Sequence, residues 1–159
     1  MLMRYKAWAD CRLYQSLSDL PEEELVIRRR IVFGSILRTL NHVYAMDLVW
    51  QAHLKGKPHT FSTRNPKICP AFSELRHAQK KIDDWYVGYA DDMQADASDV
   101  IVDFTFIDGG SGSMSRFDIL LHVVNHATFH RGHIGDMVYQ IPAEPPVTDL
   151  PVFLQGYTD

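Results

Sequence analysis

Between positions 122 and 134 the chain reads HVVNHATFHRGHI, which places His122, His126, His130 and His133 within one short stretch. Four imidazoles so spaced could be solvated surface groups, polar members of a core, a proton-sensing cluster or ligands to a metal ion. A His-x-x-x-His pair on a helix sets two rings one turn apart, close enough to share an ion, yet such a pair alone discriminates little. With His122 at zero and about 100° per residue, His126 falls near 40°, His130 near 80° and His133 near 20°. Leu120, Val124, Ala127, Ile134, Val138 and Ile141 occupy roughly 100° to 200° on the same wheel. The histidines therefore form a stripe beside the buried face. His130 lies nearest the core edge and His126 next, while His122 and His133 lean toward solvent or a neighbouring element.

A site able to do metal chemistry needs a third ligand from another element. His42 offers one in LNHVYAMDLVW, beside an apolar stripe of Ile36, Leu40, Val43, Trp50 and Leu54. One imidazole from there and two from the later helix would leave a coordination position open for water or substrate, as catalytic zinc sites do. Neutral imidazoles suit zinc, nickel, iron or copper better than magnesium or calcium. Because protons compete for the same lone pairs, binding is expected to weaken below about pH 6. His53, His59 and His77 lack such a setting and read as surface or loop residues. Asp47 falls within the stripe of Val43, Trp50 and Leu54, and Arg131 falls near 180° among Val124, Ala127, Ile134 and Val138. An unpaired charge inside a bundle is costly. The two are therefore expected to pair with each other, as an ion pair that sets helix register.

The elements that must position these groups follow from periodicity and punctuation. Leu2, Tyr5, Trp8, Leu13 and Leu17 predict a first helix over 2–18, stopped by Ser18-Asp19-Leu20-Pro21. A second helix starts from Ser35 as N-cap and runs to Gly56, and 57–70 reads as a loop holding Pro58, Pro66 and Pro70. Pro70 suits the first turn of a third helix, whose face of Phe72, Leu75, Ile82, Trp85, Tyr89 and Met93 carries it to about 94. Residues 100–107 alternate as a strand into the glycine-rich 108–112, with a short return through Ser113 to Ser115. Ser115-x-x-Asp118 has the form of a capping box and opens a fourth helix to about Ile141. Pro142, Pro145, Pro146 and Pro151 then predict an extended tail. The expected fold is all-α, a four-helix bundle with a short β insertion between helices three and four, in a single domain over 1–159.

Composition narrows the partners. With 159 residues, 46% hydrophobic and 23% charged, the chain can bury a real core, and a net charge of -4 gives no footprint for nucleic acid. Arg28, Arg29 and Arg30 follow Glu22, Glu23 and Glu24, a mixed run that reads as a solvated face. Cys11 and Cys69 are too few for a disulfide framework and suit structural thiols in a reducing compartment. No secretory signal or membrane span is legible, so a cytoplasmic location is expected. Trp8, Tyr14, Trp50 and Trp85 are more aromatic bulk than one small core needs, which points some of them toward an interface.

GSILRTLNHVYAMDLVW around His42 and LLHVVNHATFHRGHI around His126 together resemble the DinB/YfiT superfamily of metal-binding four-helix bundles, with similarity running from RYKAWADCRLY to TDLPVFL. The specific part is L-N-H with Asp five residues later, combined with N-H-x-x-x-H-R-G. The resemblance implies His42, His126 and His130 as ligands to one divalent transition metal, zinc or nickel first, with iron, manganese or copper as alternatives. Asp47, Arg131, His122 and His133 would then surround the ligands or line the pocket. It further implies an up-down-down-up bundle, a homodimer, and transferase or isomerase chemistry between a low-molecular-weight thiol, such as mycothiol or bacillithiol, and an electrophilic small molecule. His133 stands where the family often has Gln, and Phe129 where a second histidine is frequent. A metal-dependent thiol S-transferase or hydrolase is the leading reading. The rival is a non-catalytic metal-binding stress-response dimer, distinguished by a coordination sphere closed by His122 or His133.

Overall fold

The computed structural model describes residues 1–156. Its elements are α1 (Leu2–Ser18), α2 (Glu22–Val26), α3 (Ile36–Leu54), α4 (Phe72–Asp92), a 3₁₀ turn (Ala95–Ala97), β1 (Ile101–Thr105), β2 (Ser111–Ser115), α5 (Arg116–Val138) and α6 (Leu150–Leu154). The four long helices and the hairpin stand where periodicity predicts them, and their starts have local causes. Gly34 turns the chain at φ +84°, and extended Ser35 then accepts the Arg38 N–H on its side chain. Ser115 Oγ accepts the Asp118 N–H at 3.0 Å and donates to the Asp118 carboxylate at 2.7 Å. At α4, Pro70 lies outside the helix. Ala71 is the N-cap, and Glu74 accepts the Ala71 N–H at 3.2 Å.

Three corrections concern short pieces. α5 closes at Val138, because the Gln140 and Ile141 N–H groups bond back three residues to Met137 and Val138 before Pro142 stops the helix. The proline-rich tail is not wholly extended: Pro151 sits in the first turn of α6. The charged run behind Pro21 folds into α2, which buries Leu25. Both extra helices are five residues long, too short to show a period.

Which apolar residues meet settles the topology. One core cluster joins Met3, Tyr5 and Ala9 of α1 to Trp50 and Leu54 of α3, Ile82 and Tyr86 of α4, and Ile119 to Val124 of α5. The other joins Leu13 and Leu17 to Ile36 and Leu40, Leu75, and Ile134 to Val138. The start of α1 thus lies with the ends of α3 and α4 and the start of α5, which is the up-down-down-up arrangement. α1 and α3 each pack against both α4 and α5, so they stand diagonally across the bundle. Tyr14 and Trp50 belong to this core rather than to an outer face.

The hairpin pairs antiparallel, with Phe104 opposite Gly112. Phe104 is buried and meets Trp50 edge-on at 4.9 Å. A Cβ at Gly112 would stand 2.7 Å from the Phe104 ring, so only glycine lets that ring lie across β2. Both cysteines are free, Cys11 exposed and Cys69 half-buried. Among the described residues no helix is long and apolar enough to cross a membrane.

Candidate metal centre

His42, His126 and His130 converge: one ring nitrogen from each lies within 4.8 Å of the others. His42 projects from the middle of α3, and the other two from consecutive turns of α5, the helix that packs beside it. The Nε2 atoms of His42 and His126 are 3.0 Å apart. Ligands about 2.0–2.1 Å from one tetrahedral ion lie roughly 3.3 Å from each other, so the spacing suits a shared zinc-like ion. His42 Nδ1–H donates to the Arg64 carbonyl at 2.6 Å, which turns Nε2 toward the other two rings. His130 Nδ1 faces His133 Nδ1 at 3.3 Å, leaving Nε2 of His130 for the centre. Arg64 belongs to the loop after α3, which Asn41 also anchors by donating to the carbonyls of Pro66 and Ile68, both at 3.4 Å. Neighbours in the L-N-H motif thus divide the work: Asn41 holds the loop, and His42 uses it to fix its own tautomer.

Electrostatics keep these rings ready to donate lone pairs. Burial, and then the neighbouring histidines, push His126 down to about 2; burial and the facing His42 push His130 down to about 4. Burial lowers His42 as well, against the raising effect of the Arg64 carbonyl. These lowered values place the expected onset of acid release below pH 6, which metal content after dialysis at pH 6 and pH 5 would check. They also predict how the metal-free protein responds to acid. His126 and His130 titrate lower when folded than their ordinary 6.5, so their contribution to stability is present above pH 6.5. The contribution is lost as pH falls through 6.5 toward about 4 for His130 and about 2 for His126. Urea midpoints of metal-free protein should therefore drop between pH 7 and 5, and saturating zinc should raise the midpoints without removing that slope; a flat profile would contradict it.

The three rings lie in the wall of a cavity of about 720 Å³, which also presents Met46, Val49, Trp50, Phe104 and Phe129. Phe33 stacks on His42 with centroids 4.1 Å apart. His122 and His133 line the same cavity without joining the convergent trio. His122 packs edge-on to Trp50 at 4.8 Å and stacks on His126 at 5.8 Å. His53, expected at the surface, is a wall residue too, 5.5 Å from Trp50. Its signal was present in the sequence: it follows His42 by three helical turns, about 20° away on the wheel.

The Asp47–Arg131 pair does not form. Asp47 accepts from Lys6 Nζ at 2.8 Å, and Arg131 meets Asp10 at 3.1 Å. Lys6, 1% exposed, also holds Asp10 at 2.9 Å and Asp83 at 2.5 Å, and Gln79 donates to Asp47 at 2.8 Å. This polar layer lies between the two larger apolar clusters. Burial would lower the Lys6 ammonium, but three carboxylates outweigh it and hold its pKa well above the ordinary value. Burial raises Asp83 to about 7 despite Lys6 beside it. Two cations therefore face three carboxyl groups, and burial favours the protonated form of Asp83.

The fold has counterparts among known proteins. A crystal structure of a DinB-like protein from Bacillus cereus ATCC 10987 superposes with a TM-score of 0.70 at 17% identity, covering 91% of each chain. Protein DinB of Bacillus subtilis strain 168 is 26% identical over 159 aligned residues, 96% of this chain and 91% of that one. The family model described as DinB family matches residues 1–158. That match runs from the start of α1 past α6 and takes in both histidine-bearing helices: the chain belongs to the DinB family.

Proposed function

We propose that the protein is a metal-dependent enzyme that joins a low-molecular-weight thiol to an electrophilic small molecule at the His42–His126–His130 centre. The observation that carries this reading is the convergence of three neutral imidazoles on one side of a largely apolar cavity of about 720 Å³. That size suits a small-molecule site. A zinc- or nickel-like ion held by the three rings would lower the pKa of a thiol at its open position. Trp50, Phe104 and Phe129 exclude water and pack the apolar part of the electrophile. The thiolate sulfur forms a bond to the electrophilic carbon, and the leaving group departs with its electron pair. The thiol's proton passes to solvent, because burial disfavours a charged His122 in the cavity wall.

The test assays zinc- and nickel-loaded protein with several thiols against an aryl halide and an epoxide. Thiol-dependent turnover that disappears in His126→Ala supports the reading. Loaded protein that is blank with every pair sinks it.

A homodimer belongs to the same reading. Phe117 and Leu121 stand exposed one turn apart on α5, and Ile101 of β1, paired with Ser115 just before that helix, is exposed as well. Such a patch suits burial against a second copy. Sedimentation at micromolar protein should give twice the protomer mass, and a concentration-independent monomer would reject it.

A further inference from the structure

The arginine run read as a solvated face surrounds a second cavity of about 920 Å³, bordered by Arg28, Arg29, Arg30 and Arg38. Arg29 is the structural member. It is buried, paired with the Glu24 carboxylate, and donates to the Glu24 carbonyl at 2.7 Å, tying α2 to the turn before α3. The guanidinium groups of Arg28, Arg30 and Arg38 make no ion pair or hydrogen bond among the described residues. No acidic residue borders the cavity, in a chain whose net charge is -4. Gly34 and Ser35 complete it at the amino end of α3, where the helix dipole adds positive potential. Three unneutralised guanidinium groups around one cavity repel one another, an arrangement that an anion relieves.

This cavity adjoins the histidine centre. Val32 and Phe33 border both cavities, and Phe33 stacks directly on His42. We propose that the Arg28–Arg30–Arg38 cavity is an anion subsite that holds the carboxylate or phosphoryl end of a substrate whose thiol reaches the histidine centre around Phe33. The substrate class is a thiol bearing an oxyanion group. The link to the thiol rests on the metal–thiol reading above; the anion subsite itself does not.

The experiment therefore has two arms. In the first, succinate and inorganic phosphate are titrated calorimetrically into metal-free protein, which distinguishes carboxylate from phosphoryl recognition. At least one should bind one per chain, weaken as salt rises, survive His126→Ala, and lose about tenfold or more in affinity in Arg28→Gln/Arg30→Gln. Both arginines are exposed, so this variant keeps the fold. Absence of binding by both anions, or binding unchanged in the variant, overturns the subsite.

In the second arm, mercaptosuccinate and 2-mercaptoethanol are titrated against the visible spectrum of cobalt-loaded protein. Mercaptosuccinate should saturate at about tenfold lower concentration, and the arginine variant should erase that advantage. Equal saturation by the two thiols in unmodified protein overturns the link between the cavities. If neither thiol perturbs the spectrum, the metal–thiol reading fails, and the anion subsite stands or falls on the first arm.

Discussion

Alanine at His42, His126 or His130 is expected to strip zinc from the protein at neutral pH, whereas alanine at His122 or His133 leaves stoichiometric metal. The difference follows from where the rings point. Nitrogens of the first three lie within 4.8 Å of one another, and two imidazoles seldom hold a divalent ion against buffer. His122 stacks against His126 and Trp50 and is a wall residue. His133→Ala also keeps its metal but holds it more weakly, because the His133 Nδ1 faces His130 Nδ1 at 3.3 Å and orients that ring. Its loss should cost about 10–100-fold in affinity, the usual scale for a partner that orients a ligand. Metal content after dialysis reads the series directly. If His122→Ala loses metal while His42→Ala retains it, the centre is misassigned.

Lys6→Met should be the most destabilising single change outside the histidine centre, costing about 3–5 kcal/mol at pH 7.5. Its ammonium is buried and holds three carboxylates at 2.9, 2.8 and 2.5 Å, and Arg131 reaches only Asp10 among them. Without Lys6, Asp47 and Asp83 must bind protons or stay charged in a dry interior. Asp83 already titrates at about 7 when folded, against an ordinary 3.8, and losing Lys6 raises it further. A carboxyl raised on folding adds stability that is complete below its unfolded value and is lost as pH rises through the folded value. The penalty of Lys6→Met should therefore shrink between pH 7.5 and 5.5, as urea unfolding would show. Adding Asp47→Leu to Lys6→Met should recover part of the loss, because one uncompensated charge is gone. Strictly additive losses in that cycle would mean that Lys6 and Asp47 do not couple.

Much of this architecture was legible because it is written in local chemistry. The helical periods, Ser35 and Ser115 as caps, the glycine-marked turn between the strands and the histidine stripe of α5 each depend on residues within a few turns of one another. His42 could be matched to His126 and His130 because each sits at the edge of an apolar stripe, and such edges meet where two helices pack. The one-turn helices α2 and α6 lay below the length at which a period can be seen.

Partnership among buried charges was a different matter. Asp47 and Arg131 are interior charges, as their places on the apolar stripes imply, yet the wheel gives only the direction in which a side chain points. Which opposite charge it meets depends on the axial offset and order of four helices. The diagonal placement of α1 and α3 around α4 and α5 brought Lys6 to Asp47 and Asp10 to Arg131 instead. The arginine run shows the same limit: Glu22 to Arg30 reads as a balanced surface, but among the described residues folding pairs Arg29 alone of the three, with Glu24, and leaves Arg28 and Arg30 bordering a cavity beside the histidines. Local propensity and capping are short-range and so belong to the sequence, whereas electrostatic partners are set over distances that only the packed chain defines.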